Sequence, residues 1–142
     1  MKILLAVDGS KPSLDAVGLV IRSFGQLRDK PEVELVTVHL PVPRLGGLSA
    51  SVSKEQLAKY YEEEGEANLA AAKKKLDAAG FAYTARVLVG PVAETIVKHA
   101  NSAKCDLICM GSRGMGGLGT VILGSTAGKV LHLASQPLLI VK

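Results

Sequence analysis

The stretch GSRGMGGLGTVILGST, Gly111 to Thr126, carries six glycines in its first fourteen positions and then turns into an ordinary helical pattern. Glycine lets backbone N–H groups come close to a ligand, and a helix starting at Gly124-Ser125-Thr126 offers unpaired N–H groups with a favourable dipole. A phosphate suits such a place, and the two hydroxyls add hydrogen bonds. Acidic residues are absent from Leu107 to Lys142 while Arg113, Lys129 and Lys142 are present, so the local field is positive. Simple turn chemistry, with Ser125 as a plain helix cap, is the other reading of the same residues.

Two familiar phosphate motifs fail here. Gly114-x-Gly116-x-x-Gly119 has the dinucleotide spacing, but that fingerprint belongs after a first strand and needs an acidic residue about 20 positions on, and no acid follows Asp106. Gly119-x-x-x-x-Gly124 starts like a P-loop, yet Ser125 stands where the lysine belongs. The other chemically loaded stretch is Asp8-Gly9-Ser10, in which Asp8 either reaches a ligand or only accepts local hydrogen bonds in a turn. His39 reads as a structural or rim residue rather than a base, and His99 and His132 have no visible partner. Arg113 is a planar donor for phosphate or a group that merely solvates the loop. No His, Cys and carboxylate cluster has metal-site spacing. Cys105 and Cys109 read as buried reduced thiols on one face of one strand, too far apart to bond.

Alternating strand and helix patterns must position these groups. Lys2 to Val7 is an apolar run, hence a strand buried on both faces. Leu14, Val17, Ile21 and Phe24 recur at helical spacing. Glu32 to Leu40 reads as a strand, and Pro41 to Ser53 as a long loop of the kind that forms lids. Ser53 caps a helix carrying Leu57, Tyr61, Leu69 and Leu76 that stops at Gly80. Ala82 to Val89 is a third strand, and Gly90-Pro91 opens a helix with proline in its first turn and Ile96 and Val97 facing the core. Asp106 to Met110, a helix from Ser125 to Ala134 and a strand from Leu138 to Val141 complete the pattern. Five strands alternating with four helices predict an α/β fold with a doubly wound, mostly parallel sheet and helices on both faces. Ligands of such sheets bind at the carboxyl ends of the strands, where the strand order switches, and both loaded stretches lie at such ends.

At 142 residues the chain reads as one domain, 1–142, long enough to bury about 68–70% of its unfolded surface. No apolar run approaches a membrane span, and the start MKILLAVDGS reads as a strand rather than a signal peptide because Asp8 ends its apolar run. A cytoplasmic protein without membrane partners is expected. The net charge of +4 raises nucleic-acid binding, but 4% aromatics leave little for base stacking, and Lys73 to Lys75 follow Glu62 to Glu64 along one helix as the macrodipole prefers. No nucleic-acid partner is expected.

Gly111-x-x-Gly114, nine residues, then Gly124-Ser125 is the pattern G-x-x-G-x9-G-[S/T], and the chain resembles the ATP-binding branch of the universal stress protein family. The segments DLICMGSRGMGGLG, LGSTAGKVL, ILLAVDGS and PLLIVK resemble that family too, in the right order along the whole chain. The resemblance implies the strand order 3-2-1-4-5, with ATP across the ends of strands one and four. It places Val7, Asp8 and Val38 on the adenine and ribose side, Met110 and Gly111 nearby, and Gly114, Gly124, Ser125 and Thr126 on the phosphates. Asp8 would bind ribose or reach a divalent cation through water, since magnesium usually comes with the nucleotide. The expected function is that of an adenine-nucleotide-binding stress-response regulator with unknown regulatory protein partners. It is not an enzyme beyond slow ATP hydrolysis, since no water-activating base is evident. A homodimer through the apolar edge strand Leu138 to Val141 is expected. The alternative is a dimeric interaction module whose glycine loop is only scaffold.

Overall fold

The computed structural model describes residues 1–43, 52–114 and 123–142. Their elements alternate along the chain: β1 (Lys2–Ala6), α1 (Lys11–Phe24), β2 (Glu32–His39), α2 (Lys54–Ala78), β3 (Tyr83–Val89), α3 (Val92–Ser102), β4 (Leu107–Gly111), α4 (Ser125–Leu133) and β5 (Leu138–Val141). Ile3, Leu4 and Leu5 are adjacent in sequence and all wholly buried. Successive strand side chains point to opposite faces, so β1 must be covered on both. The sheet order is β3-β2-β1-β4-β5, and every strand pairing among the described residues is parallel.

Two cores follow from that alternation. Ile3 and Leu5 of β1 join Val17 of α1, Leu35 of β2, and Leu69 and Leu76 of α2 on one face. Leu4 joins Val36, Ile96 and Ala100 of α3, Ile108 and Val130 of α4 on the other. Burying each such aliphatic side chain contributes roughly 1.5–3 kcal/mol. Helix ends are sealed locally. Ser53 and Gln56 form a reciprocal capping box at the start of α2, with bonds of 3.1 and 3.0 Å. Pro91 is the N-cap of α3 rather than a residue of its first turn, and its carbonyl accepts from the Thr95 N–H at 2.9 Å.

The two cysteines do not share a face. β4 begins only at Leu107, and Cys105 precedes it, after a turn in which Lys104 takes φ 55°. Cys105 therefore joins the α3–α4 core, while Cys109 lies in the α1–α2 core with its sulfur 4.0 Å from the Ala16 carbonyl. Both are free thiols. Burial pushes Cys109 up to about 12, and burial with the nearby Glu34 charge pushes Cys105 up to about 11. A thiol whose folded pKa is raised favours the native state fully below its unfolded pKa, and that contribution is lost as pH rises toward the folded value. Stability should therefore fall from about pH 9 to pH 11, and urea midpoints should fall less steeply in that window in Cys109→Ala. A variant with the same alkaline slope as the parent would rule out this origin.

At the amino end of the sheet the buried Glu34 carboxylate accepts or pairs with three groups: His99 Nε2 at 3.0 Å, Arg86 Nε at 3.7 Å and Lys2 Nζ at 3.8 Å. His99, for which sequence suggested no partner, thus ties the end of α3 to β2. The acid comes from 65 positions away.

Candidate functional site

β1 has β2 on one side and β4 on the other, so the chain leaves β1 in one direction and later returns on the opposite flank. A cleft of about 790 Å³ opens at the carboxyl ends of these three strands. That size and position suit a small-molecule site. One side is apolar: Ala6, Val36 and Val38 from the sheet, Val92 and Ile96 from α3, Met110 from β4 and Ala127 from α4. The facing side is polar and built from Asp8, Ser112, Arg113, Gly114, Gly124, Ser125 and Thr126.

Asp8 is oriented by the turn that starts α1. Gly9 takes φ +81°, a conformation that glycine adopts freely, and this brings Ser10 back onto the carboxylate. Asp8 Oδ1 accepts from the Ser10 N–H at 3.0 Å and from the Ser10 hydroxyl at 2.5 Å. The Asp8 N–H is held in turn by Ser13 Oγ at 3.4 Å. Asp8 thus performs the local turn role while its carboxylate borders the cleft.

The glycines differ in what their missing side chains permit. A Cβ at Gly114 would lie 2.5 Å from Asp8 Oδ2, so the backbone there packs directly on the carboxylate. At Gly124 a Cβ would stand 3.0 Å from the Ser112 carbonyl, which accepts the Gly124 N–H at 2.6 Å. Gly124 is the N-cap of α4, in extended conformation, with no side chain capping the helix and no acid in its first turn. The N–H groups of Ser125, Thr126 and Ala127 therefore open toward the cleft without intrahelical acceptors, at the positive end of the helix dipole. Gly111 serves packing instead: a Cβ there would come within 2.7–2.9 Å of Pro12 and Ser13.

Val7, Asp8, Val38, Met110, Gly111, Arg113, Gly114, Gly124, Ser125 and Thr126, the residues selected from sequence, all border this cleft. Lys129 and Lys142 do not, and Lys129 pairs with Glu94 of α3 at 3.0 Å. The positive field inferred from the local lack of acids is thereby weakened by an acid from another helix. His39 stands at the rim with its ring 6.2 Å from that of Tyr61. Much of the apolar wall escaped sequence reading: Ala6, Val36, Val92, Ile96 and Ala127 looked like ordinary core. The signal for Val36 was its even spacing from Val38 along β2, which places both on one face. The glycine segment 115–122 and the loop segment 44–51 lie outside the described residues. Among the described residues no group of three His, Cys, Asp or Glu could hold a metal, and no helix is long and apolar enough to cross a membrane.

The model of the universal stress protein family matches residues 1–142. The chain belongs to the universal stress protein family. It is 34% identical over 142 residues to Universal stress protein MJ0531 of Methanocaldococcus jannaschii, an alignment covering 99% of this chain and 81% of that protein. The solved structure of the M. jannaschii protein MJ0577 superposes with a TM-score of 0.85 at 30% identity, covering 99% of this chain and 94% of that one. A universal stress protein from Archaeoglobus fulgidus, solved in complex with dAMP, shares the fold at a TM-score of 0.61 and 24% identity, covering 100% of this chain and 98% of that one. The order β3-β2-β1-β4-β5 is the arrangement expected of this family, and the fold is the doubly wound α/β sheet that the sequence pattern predicts.

Proposed function

We propose that this universal stress protein binds ATP in the cleft between β1, β2 and β4 and acts as a nucleotide-dependent regulator in the stress response. The observation that carries the reading is the uncapped start of α4, where Ser125 and Thr126 present N–H groups and hydroxyls opposite an apolar slot. A polyanion fits the helix end, and a flat apolar base fits between Val36, Val38, Ile96 and Met110. The dAMP held by the A. fulgidus protein supports an adenine nucleotide as the ligand class.

Asp8, Val7, Val38, Met110 and Gly111 take the base and ribose side, and Gly114, Gly124, Ser125, Thr126 and Arg113 the phosphates. Among the described residues Asp8 is the only carboxylate bordering the cleft. That fits a magnesium ion brought by the nucleotide, which keeps several waters and needs few protein ligands. Hydrolysis is expected to be slow: Asp8 is engaged with Ser10, and His39 lies against Tyr61. β5 forms an edge of the sheet and its residues Leu138 to Val141 are half-exposed, which supports pairing with a second copy.

The test is nucleotide chromatography of the supernatant from denatured, freshly purified protein, together with a thermal shift on adding Mg-ATP. Co-purifying adenine nucleotide, or a midpoint rising with ATP concentration, is expected, because a ligand that binds only the native state raises its stability. An empty protein with no shift at millimolar ATP would favour the interaction-module reading, in which β5 and its partners carry the function.

A further inference from the structure

α2 is the longest helix among the described residues, and it buries one face only: Gly65, Leu69, Ala72 and Leu76 are its buried residues, and the helix packs on β2 and β3. Nearly opposite that face runs a row of exposed residues at alternating spacings of four and three, Tyr60, Glu64, Ala67, Ala71, Lys74 and Ala78. A seam that meets a second helix has this spacing.

The charges of the row find no use inside the chain. The ion pairs that α2 makes along its own length, Lys59 with Glu63 at 3.8 Å and Lys73 with Glu66 at 2.5 Å, leave Glu64 and Lys74 without an ion-pair partner among the described residues. A helix that stabilises itself sets acid and base three or four residues apart. Here Asn68 follows Glu64 by four and Ala70 precedes Lys74 by four, so the two charges stand about 15 Å apart along the axis. The helix dipole favours acids before bases, but its effect falls off within a terminal turn, and Glu64 lies well past the first.

We propose that the outer face of α2 is a docking surface for the same face of a second copy of this chain, packed antiparallel about a two-fold axis midway between Ala67 and Ala71. Turned end for end, the second copy sets its Lys74 against Glu64, its Ala71 against Ala67 and its Ala78 against Tyr60. Each level then joins acid to base, small to small or large to small, which is the self-complementarity that a two-fold contact requires. The alanines at the centre let the helix axes approach to about 8 Å. The contact is separate from β5, which forms the edge of the sheet opposite β3, so a chain that uses both assembles beyond a dimer. It does not depend on a nucleotide in the cleft.

The test is sedimentation equilibrium of the full chain from micromolar to millimolar concentration, in dilute buffer and at about 0.5 M salt. Association of the parent should weaken in salt, because exposed charge pairs are screened. Glu64→Lys sets lysine against lysine at two levels, and Lys74→Glu sets glutamate against glutamate. Each should raise the dissociation constant of this step at least about tenfold. An equimolar mixture of the two variants restores both pairs between unlike chains and should associate as the parent does, as should the double variant E64K/K74E. Both positions are exposed, and urea melts of the dilute variants should match the parent's. A parent without salt-sensitive association, single variants that associate as tightly as the parent, or a mixture no tighter than its components would each overturn the proposal. Pairing through β5 is untouched by these substitutions, so it reads out as a separate step in every variant.

Discussion

Gly124→Asp is expected to weaken Mg-ATP binding by at least about a hundredfold while the chain stays folded. The substitution puts a carboxylate at the N-cap of α4, where it would accept the first-turn N–H groups that the proposed phosphate needs. It also sets a negative charge against a negative ligand at a distance where repulsion is worth about 4 kcal/mol at an effective dielectric constant of 20. The fold should tolerate it for two reasons. Gly124 has φ −69° and ψ 162°, the extended conformation of a normal capping residue, so no left-handed strain arises. The new Cβ would stand 3.0 Å from the Ser112 carbonyl, a contact that calls for a shift of a few tenths of an ångström and offsets part of the gain from capping. Calorimetric titration with Mg-ATP, beside a urea melt of the ligand-free protein, separates the two effects. Undiminished binding in a folded variant would remove the α4 terminus from the site.

Gly111→Ala should do the reverse, costing about 3 kcal/mol of stability before any ligand is added. Its Cβ would lie 2.7 Å from the Pro12 carbonyl carbon, 2.8 Å from the Ser13 nitrogen and 2.9 Å from the Pro12 Cβ. Two of those atoms belong to the backbone at the start of α1, and the chain there is held by the Ser10 cap and by Ser13. Neither side can yield cheaply, so α1 must move off β4. The check is the urea midpoint of ligand-free protein, which should drop clearly with the slope unchanged. A midpoint equal to the parent's would mean that the helix start accommodates a methyl group and that this glycine is not required for packing. Two glycines of a single spacing pattern would thus separate into one that supports the fold and one that borders the ligand.

How far the sequence could be read depended on whether the cause was local. β5 falls at the residues its apolar run indicates, and Ser53 caps α2 as its side chain allows. The ends of β1 and β2 fall one residue short of their apolar runs, at Ala6 and His39, although Val7 still donates to the Val36 carbonyl at 2.9 Å. Position on a face was less legible. The pairing of Cys105 with Cys109 on one face assumed that β4 reached back to Cys105, whereas the turn at Lys104 places that residue before the strand. Partners from distant segments left no local trace: Glu34 for His99, and Glu94 for Lys129, each come from another element.

The strand order also governs when the site can come into being. β1, made before the other four strands of this sheet, lies at its middle, and the flank that β4 will occupy stays open until residues 107–111 have been synthesised. At roughly 5–20 residues per second this leaves an unpaired apolar edge on the growing chain for on the order of ten seconds. Parallel pairings between segments so far apart close slowly, and an exposed edge invites association with other chains in the meantime. Asp8 and the start of α4 come to one cleft only after residue 125 has emerged, so ligand capture would act as a late clasp joining segments more than a hundred residues apart.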